Sequence, residues 1–127
     1  FKKGVTAHPQ DPRPARAYAG WLLDADRTAD AAAYVEAAQK LAPDDPDTRS
    51  LRGLYARFTK DYATAEAVFD KLAADRPADV FAAWNLALAL AESADAGKRS
   101  RAVELAEAEV RRNPQAAESY AVLGWCY

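Results

Sequence analysis

Apolar residues return along this chain every three or four positions, the period at which side chains stack on one face of a helix. Tyr18, Leu22 and Leu23 form one such stripe. Leu51, Leu54, Tyr55 and Phe58 form a second, and Ala83, Leu86, Ala87 and Leu90 a third. Apolar and polar residues nowhere alternate with period two, so no strand is predicted and the expected class is all-α. Polar start signals divide the pattern into successive helices. The tail of one occupies residues 1–7. Asp11 or Pro12 opens the next, which ends at Asp24, and Thr28 caps another that ends at Leu41. Asp45-Pro46 combines a capping carboxylate with proline at the first helical position and starts a helix reaching Thr59. Asp61 caps a helix ending at Ala74, and Asp79 caps residues 80–92. Residues 98–112 and 115–127 complete the series, and the short connections predict antiparallel neighbours.

The series repeats. Pro9, Pro43, Pro77 and Pro114 are separated by 34, 34 and 37 residues, a period expected of stacked copies of one supersecondary unit. Twelve residues before the last three prolines stand Ala31, Ala65 and Ala102. Ten residues after all four stand Ala19, Gly53, Ala87 and Gly124, small enough for helices to approach closely. Eight residues before the first three stand Phe1, Val35 and Phe69, and Ala106 breaks that run. The prolines themselves end one helix before the next begins.

These residues resemble the tetratricopeptide repeat, a helix–turn–helix unit of 34 residues. Tyr120, Leu123, Gly124 and Tyr127 follow the family spacing in the last segment. Asp61-Tyr62, Ala65, Phe69 and Pro77 resemble the second-helix half in the middle. The resemblance implies one array over residues 1–127: the tail of a preceding repeat at 1–9, repeats at 12–45, 46–79 and 80–116, and a further first helix at 117–127. It implies a right-handed α-α superhelix, a solenoid of antiparallel helix pairs whose first helices line a concave groove. Two departures qualify the match. Arg52 stands where the family places leucine, which predicts a one-residue slip of that helix. Three extra residues within 94–100 predict a longer turn in the third repeat.

Composition narrows the function classes. Half of the residues are hydrophobic and the net charge is −2, so no strong field favours nucleic acid or an anionic membrane. No apolar run is long enough for a membrane span, and no signal peptide is read. Compartment is left open. The abundance of alanine, with arginine exceeding lysine, fits a bacterial source. Solenoids need polar capping ends, and neither the start at Phe1 nor the end at Tyr127 reads as one. The chain is therefore expected to be a piece of a longer repeat protein.

The residue types that carry chemistry are sparse. Gly97-Lys98-Arg99-Ser100 lacks the upstream glycine, the adjacent hydroxyl and the preceding strand of a phosphate-binding loop. His8 and Cys126, the only histidine and cysteine, have no partners at ligand or catalytic spacing. Asp44, Asp45 and Asp47 read as helix-start carboxylates, and Glu104, Glu107 and Glu109 as a solvated face. The expectation is a non-enzymatic chain with no catalytic residue, metal or cofactor.

The repeat register leaves the concave face as the candidate site. Phe81 and Trp84 sit off the packing stripe of their helix and offer peptide anchors, with Leu88 beside them. Asn85 offers an amide to a peptide backbone, Trp125 a further aromatic, and Arg16 and Arg57 a hold on a carboxylate. Half-burial of Trp84 against a neighbouring helix is the competing expectation. The basic and amide clamp with which chaperone-binding members of the family grip a carboxylate tail is not expected. Its places would hold Arg16, Gly20, Leu51, Phe81 and Asn85, or Ser50, Leu54, Asn85, Glu118 and Val122. The expected partner is a protein or peptide. The alternatives are a spacer, end-to-end self-association through Phe1 and Trp125, or the repeat region of an enzyme whose catalytic domain lies elsewhere.

Overall fold

The computed structural model describes residues 3–127 in full and the backbone of Lys2. All regular structure among them is helical: α1 (Lys2–Ala7), α2 (Pro12–Asp24), α3 (Thr28–Leu41), α4 (Pro46–Phe58), α5 (Tyr62–Asp75), α6 (Val80–Ala91), α7 (Ala96–Arg112) and α8 (Ala117–Cys126). They form two compact units, one ending at Asp61 and one spanning Tyr62–Tyr127. In the first, α2 packs on α1, α3 and α4. In the second, α6 packs on α5, α7 and α8. No described helix is long and apolar enough to cross a membrane.

Aspartate caps four of these helices. The carboxylates of Asp11, Asp45, Asp79 and Asp95 accept from the backbone N–H of Arg13, Asp47, Ala82 and Gly97, satisfying donors that the first turn leaves open. Pro12 and Pro46 fill the positions after two of them, where a missing N–H costs nothing. Asp95 starts α7 at Ala96, two residues ahead of the expected Lys98. Thr28 is not a cap: it lies inside α3, whose N-cap is Arg27 without a side-chain bond.

The 34-residue period recurs in the backbone hydrogen bonds. After α1, His8 N–H donates to Gly4 O and Asp11 N–H to His8 O. The same pair recurs after α3 (Ala42 to Ala38, Asp45 to Ala42), after α5 (Arg76 to Leu72, Asp79 to Arg76) and after α7 (Asn113 to Glu109, Ala116 to Asn113). Within the first unit the other turn repeats as well. Asp26 donates to Leu23 O and Arg27 to Leu22 O, as Lys60 does to Arg57 O and Asp61 to Ala56 O. Asp26 and Lys60 take φ of 60° and 64°. The turn between α6 and α7 departs from this pattern. There Ser93 N–H donates to Leu90 O, and Ser93 Oγ accepts from Asp95 N–H at 3.0 Å.

Helix direction follows from long-range pairs in the second unit. Glu66 and Asp70 of α5 meet Lys98 and Arg101 of α7, in the same order along both helices, so these two run parallel. The intervening α6, joined to each by a short turn, runs opposite. The Trp125–Glu92 bond likewise joins the C-terminal ends of α8 and α6.

The cores follow the sequence register. Ala31, Ala65 and Ala102 are each fully buried, as are Ala19, Leu22, Phe69 and Leu90. Arg52 points to solvent, and Leu51 one place before it is buried together with Gly53 and Ala56. Gly124 differs from its counterparts Ala19, Gly53 and Ala87. It is exposed, and an added Cβ would meet nothing within 4 Å.

Two predictions follow from the turns. Left-handed φ strains any side-chain-bearing residue. Lys60→Gly should therefore raise stability by about 1 kcal/mol in urea denaturation, and no gain would contradict a left-handed Lys60. The side-chain and backbone hydrogen bonds from Arg13 hold the Asp11 carboxyl down to about 2, from 3.8. Because the folded value is the depressed one, this contribution is present above pH 3.8 and disappears as pH falls toward 2. Carboxyl NMR titration should place Asp11 near 2 and return it toward 3.8 in Arg13→Ala.

Candidate functional site

The second unit brings four of the seven sequence-expected groove residues to one surface, built by α6 and α8. Helix α6 has no charged residue between its caps, and three helices cover most of its circumference, which explains its near-continuous apolar sequence. Phe81, Trp84 and Leu88 fall on the side that remains, at helical spacing. Phe81 is 43% exposed, its ring edge-on to the buried Phe69 with centroids 6.2 Å apart. Trp84 and Leu88 are half-buried and pack on a small cluster of Ala87, Ala106 and Val122 contributed by α6, α7 and α8. The half-burial expected as the alternative for Trp84 is what the structure shows, its indole seated on the neighbouring helices with Nε1 buried.

Trp125 completes the patch from α8. It is 66% exposed, and its indole N–H donates to Glu92 Oε1 at 3.0 Å. Glu92 was missed in the sequence. It stands at the C-cap of α6, eleven residues after Phe81 on the same helical stripe, and that spacing is the signal that could have found it. Glu118 lies seven residues before Trp125, hence on the same side of α8, and is exposed.

Asn85 is not available to a ligand. It is 4% exposed, because it faces the helices around α6, and its Nδ2 donates to Phe81 O at 2.9 Å. Arg16 and Arg57 belong to the first unit. The Arg16 side chain is 16% exposed and already engaged: Nη1 lies 3.5 Å from Asp45 Oδ2 and donates to Thr48 Oγ1 at 3.3 Å. A guanidinium committed in this way ties α2 to the start of α4 and does not present a free fork. Arg57 is half-buried, with its guanidinium 5.0 Å from the Phe58 ring centre. Phe1, one half of the expected end-to-end contact, lies outside the described residues.

Three buried polar atoms of the second unit have no hydrogen-bond partner: Trp84 Nε1, Glu109 Oε2 and Ser119 Oγ. Glu109 Oε1 accepts from Arg112 at 2.7 Å. Among the described residues no group of three or more His, Cys, Asp or Glu side chains could hold a metal ion. Cys126 packs beneath the patch, its Sγ 3.8 Å from Ala87 O, and burial raises its thiol pKa.

A scan against family models and searches of curated proteins and solved structures found no match to this chain.

The raised thiol pKa lowers the thiolate fraction near neutrality. Alkylation of Cys126 by iodoacetamide at pH 8 should be several-fold slower than that of free cysteine, and equal rates would contradict the burial of Sγ.

Proposed function

We propose that this chain is part of a tetratricopeptide-type array, a right-handed superhelix of antiparallel helix pairs, and that it works as a non-catalytic protein-interaction module. The α6–α8 surface of the second unit is its working face and takes a peptide segment of a partner protein. The observation carrying this reading is that two adjacent helices present exposed Phe81 and Trp125 beside half-buried Trp84 and Leu88. Rings seated on a packed core lose little entropy on binding, and each buries a large area. Membership of the repeat family rests on the proline register and on the backbone bonds that recur with it.

Phe81→Ala combined with Trp125→Ala removes the two exposed aromatics of this patch and spares the seated Trp84. At unchanged helicity this double variant should lose a captured partner by at least about tenfold relative to wild type, as truncation of an interface anchor does. The captured segment should cross-link to α6 or α8. Equal capture by both proteins, or cross-links confined to other helices, would refute this face.

A further inference from the structure

The patch has a charge pattern of its own. Along α6 the surface stripe runs Phe81, Trp84, Leu88 and then Glu92, and along α8 it runs Glu118, Ala121 and Trp125. Glu118 occupies the repeat position of Phe81, and Trp125 that of Leu88. One carboxylate therefore stands at each end of the apolar surface, Glu118 where the two helices begin and Glu92 where α6 ends. Both are exposed. The bond from Trp125 Nε1 fixes Glu92 at the rim, and the nearby Arg99 guanidinium of α7 is engaged with the carbonyl of Ser93 at 2.8 Å. Neither α6 nor α8 contains lysine or arginine. The basic residues of this unit are on α5, on α7 and at Arg76 between α5 and α6, and Lys98, Arg101 and Arg112 among them pair with Glu66, Asp70 and Glu109. Asp79, the N-cap of α6, adds a further negative group at the Glu118 end.

From this framing we infer the chemistry of the occupant: a short segment with apolar or aromatic residues in its middle and a lysine or arginine at each end. The inference rests on the α6–α8 face being the peptide site. Apolar anchors supply the affinity, and the two carboxylates select charge and fix the segment along the helices. An acidic segment of the same shape meets like charge at both ends. Length follows from helix geometry. Eleven residues separate Phe81 from Glu92, about 16 Å at 1.5 Å per residue, which an extended chain spans with about five residues.

The test uses the 15N-labelled chain and follows its three indole N–H signals. Trp84 and Trp125 report on the patch, and Trp21, in the other unit, is the internal control. The probes are two capped pentapeptides, Arg-Leu-Phe-Leu-Arg and Glu-Leu-Phe-Leu-Glu. The basic peptide should shift the Trp125 and Trp84 signals, leave Trp21 in place, and bind at least about fivefold more tightly than the acidic one, with affinity falling as salt rises. Glu92→Gln keeps the acceptor for Trp125, and Glu118→Gln touches no packing. Each should weaken the basic peptide about 2–5-fold, the range of an exposed ion pair, and leave the acidic peptide unchanged or improved. Equal binding of both peptides, or stronger binding of the acidic one, overturns the charge inference and leaves the apolar face standing. No shift at Trp84 or Trp125 with either peptide overturns both.

Discussion

Close helix approach, permitted by alanine, is the constraint on which both units depend. Ala31, Ala65 and Ala102 hold equivalent places on α3, α5 and α7, and none of them reaches solvent. A larger side chain there would force the helices apart, and a densely packed interior has little slack to absorb the change. The large residues that fill the remaining space, Leu22, Phe69, Leu72 and Leu90, are placed by those contacts. So are the surface residues one helical step away. Phe81 and Trp84 lie at the patch because Ala82 and Leu86 point inward.

One frame thus carries two chemistries. Trp84 has the repeat position of Arg16, Ser119 that of Thr48, and Ala116 that of Asp45. In the first unit these positions hold a guanidinium tied to a carboxylate and a hydroxyl. In the second they hold an indole, a methyl and a serine whose Oγ lacks a partner. The polar tie is replaced by an aromatic surface. Helix order is common to both units, and their surfaces differ in the side chains set into it.

Most of the helical plan was legible in the sequence, because local signals control it. Aspartate caps, first-turn prolines and the 34-residue register need no distant partner to act. The errors arose where a residue's fate depends on helices far along the chain. Asn85 looked available for binding, but α6 is covered on most sides and its amide turned to its own backbone. Arg16 reads as a free cation from the sequence alone, but Asp45 and Thr48 of α4 and its cap engage it. At Arg52 the buried large side chain is that of Leu51, one place earlier, with Gly53 and Ala56 buried after it. Phe81, Leu88 and Trp125 were readable as surface because they sit off the buried stripe. Glu92 was overlooked because it closes its helix as a cap, outside the apolar pattern that drew attention to the others.

The turn between α6 and α7 has a consequence for how such a chain can change length. Every other described turn is locked by paired backbone bonds at fixed offsets, so adding or removing a residue there would break the set. The α6–α7 turn closes instead through Ser93 and Asp95, and the three extra residues expected to lengthen it mostly extend α7, to 17 residues against 14 in α3 and α5. Evolution or an engineer therefore has two routes to a longer protein. Whole 34-residue modules can be duplicated, bringing their own bonds with them. Alternatively, an insert such as a recognition tag can be spliced between Ser93 and Ala96, where no register of paired backbone bonds has to be kept.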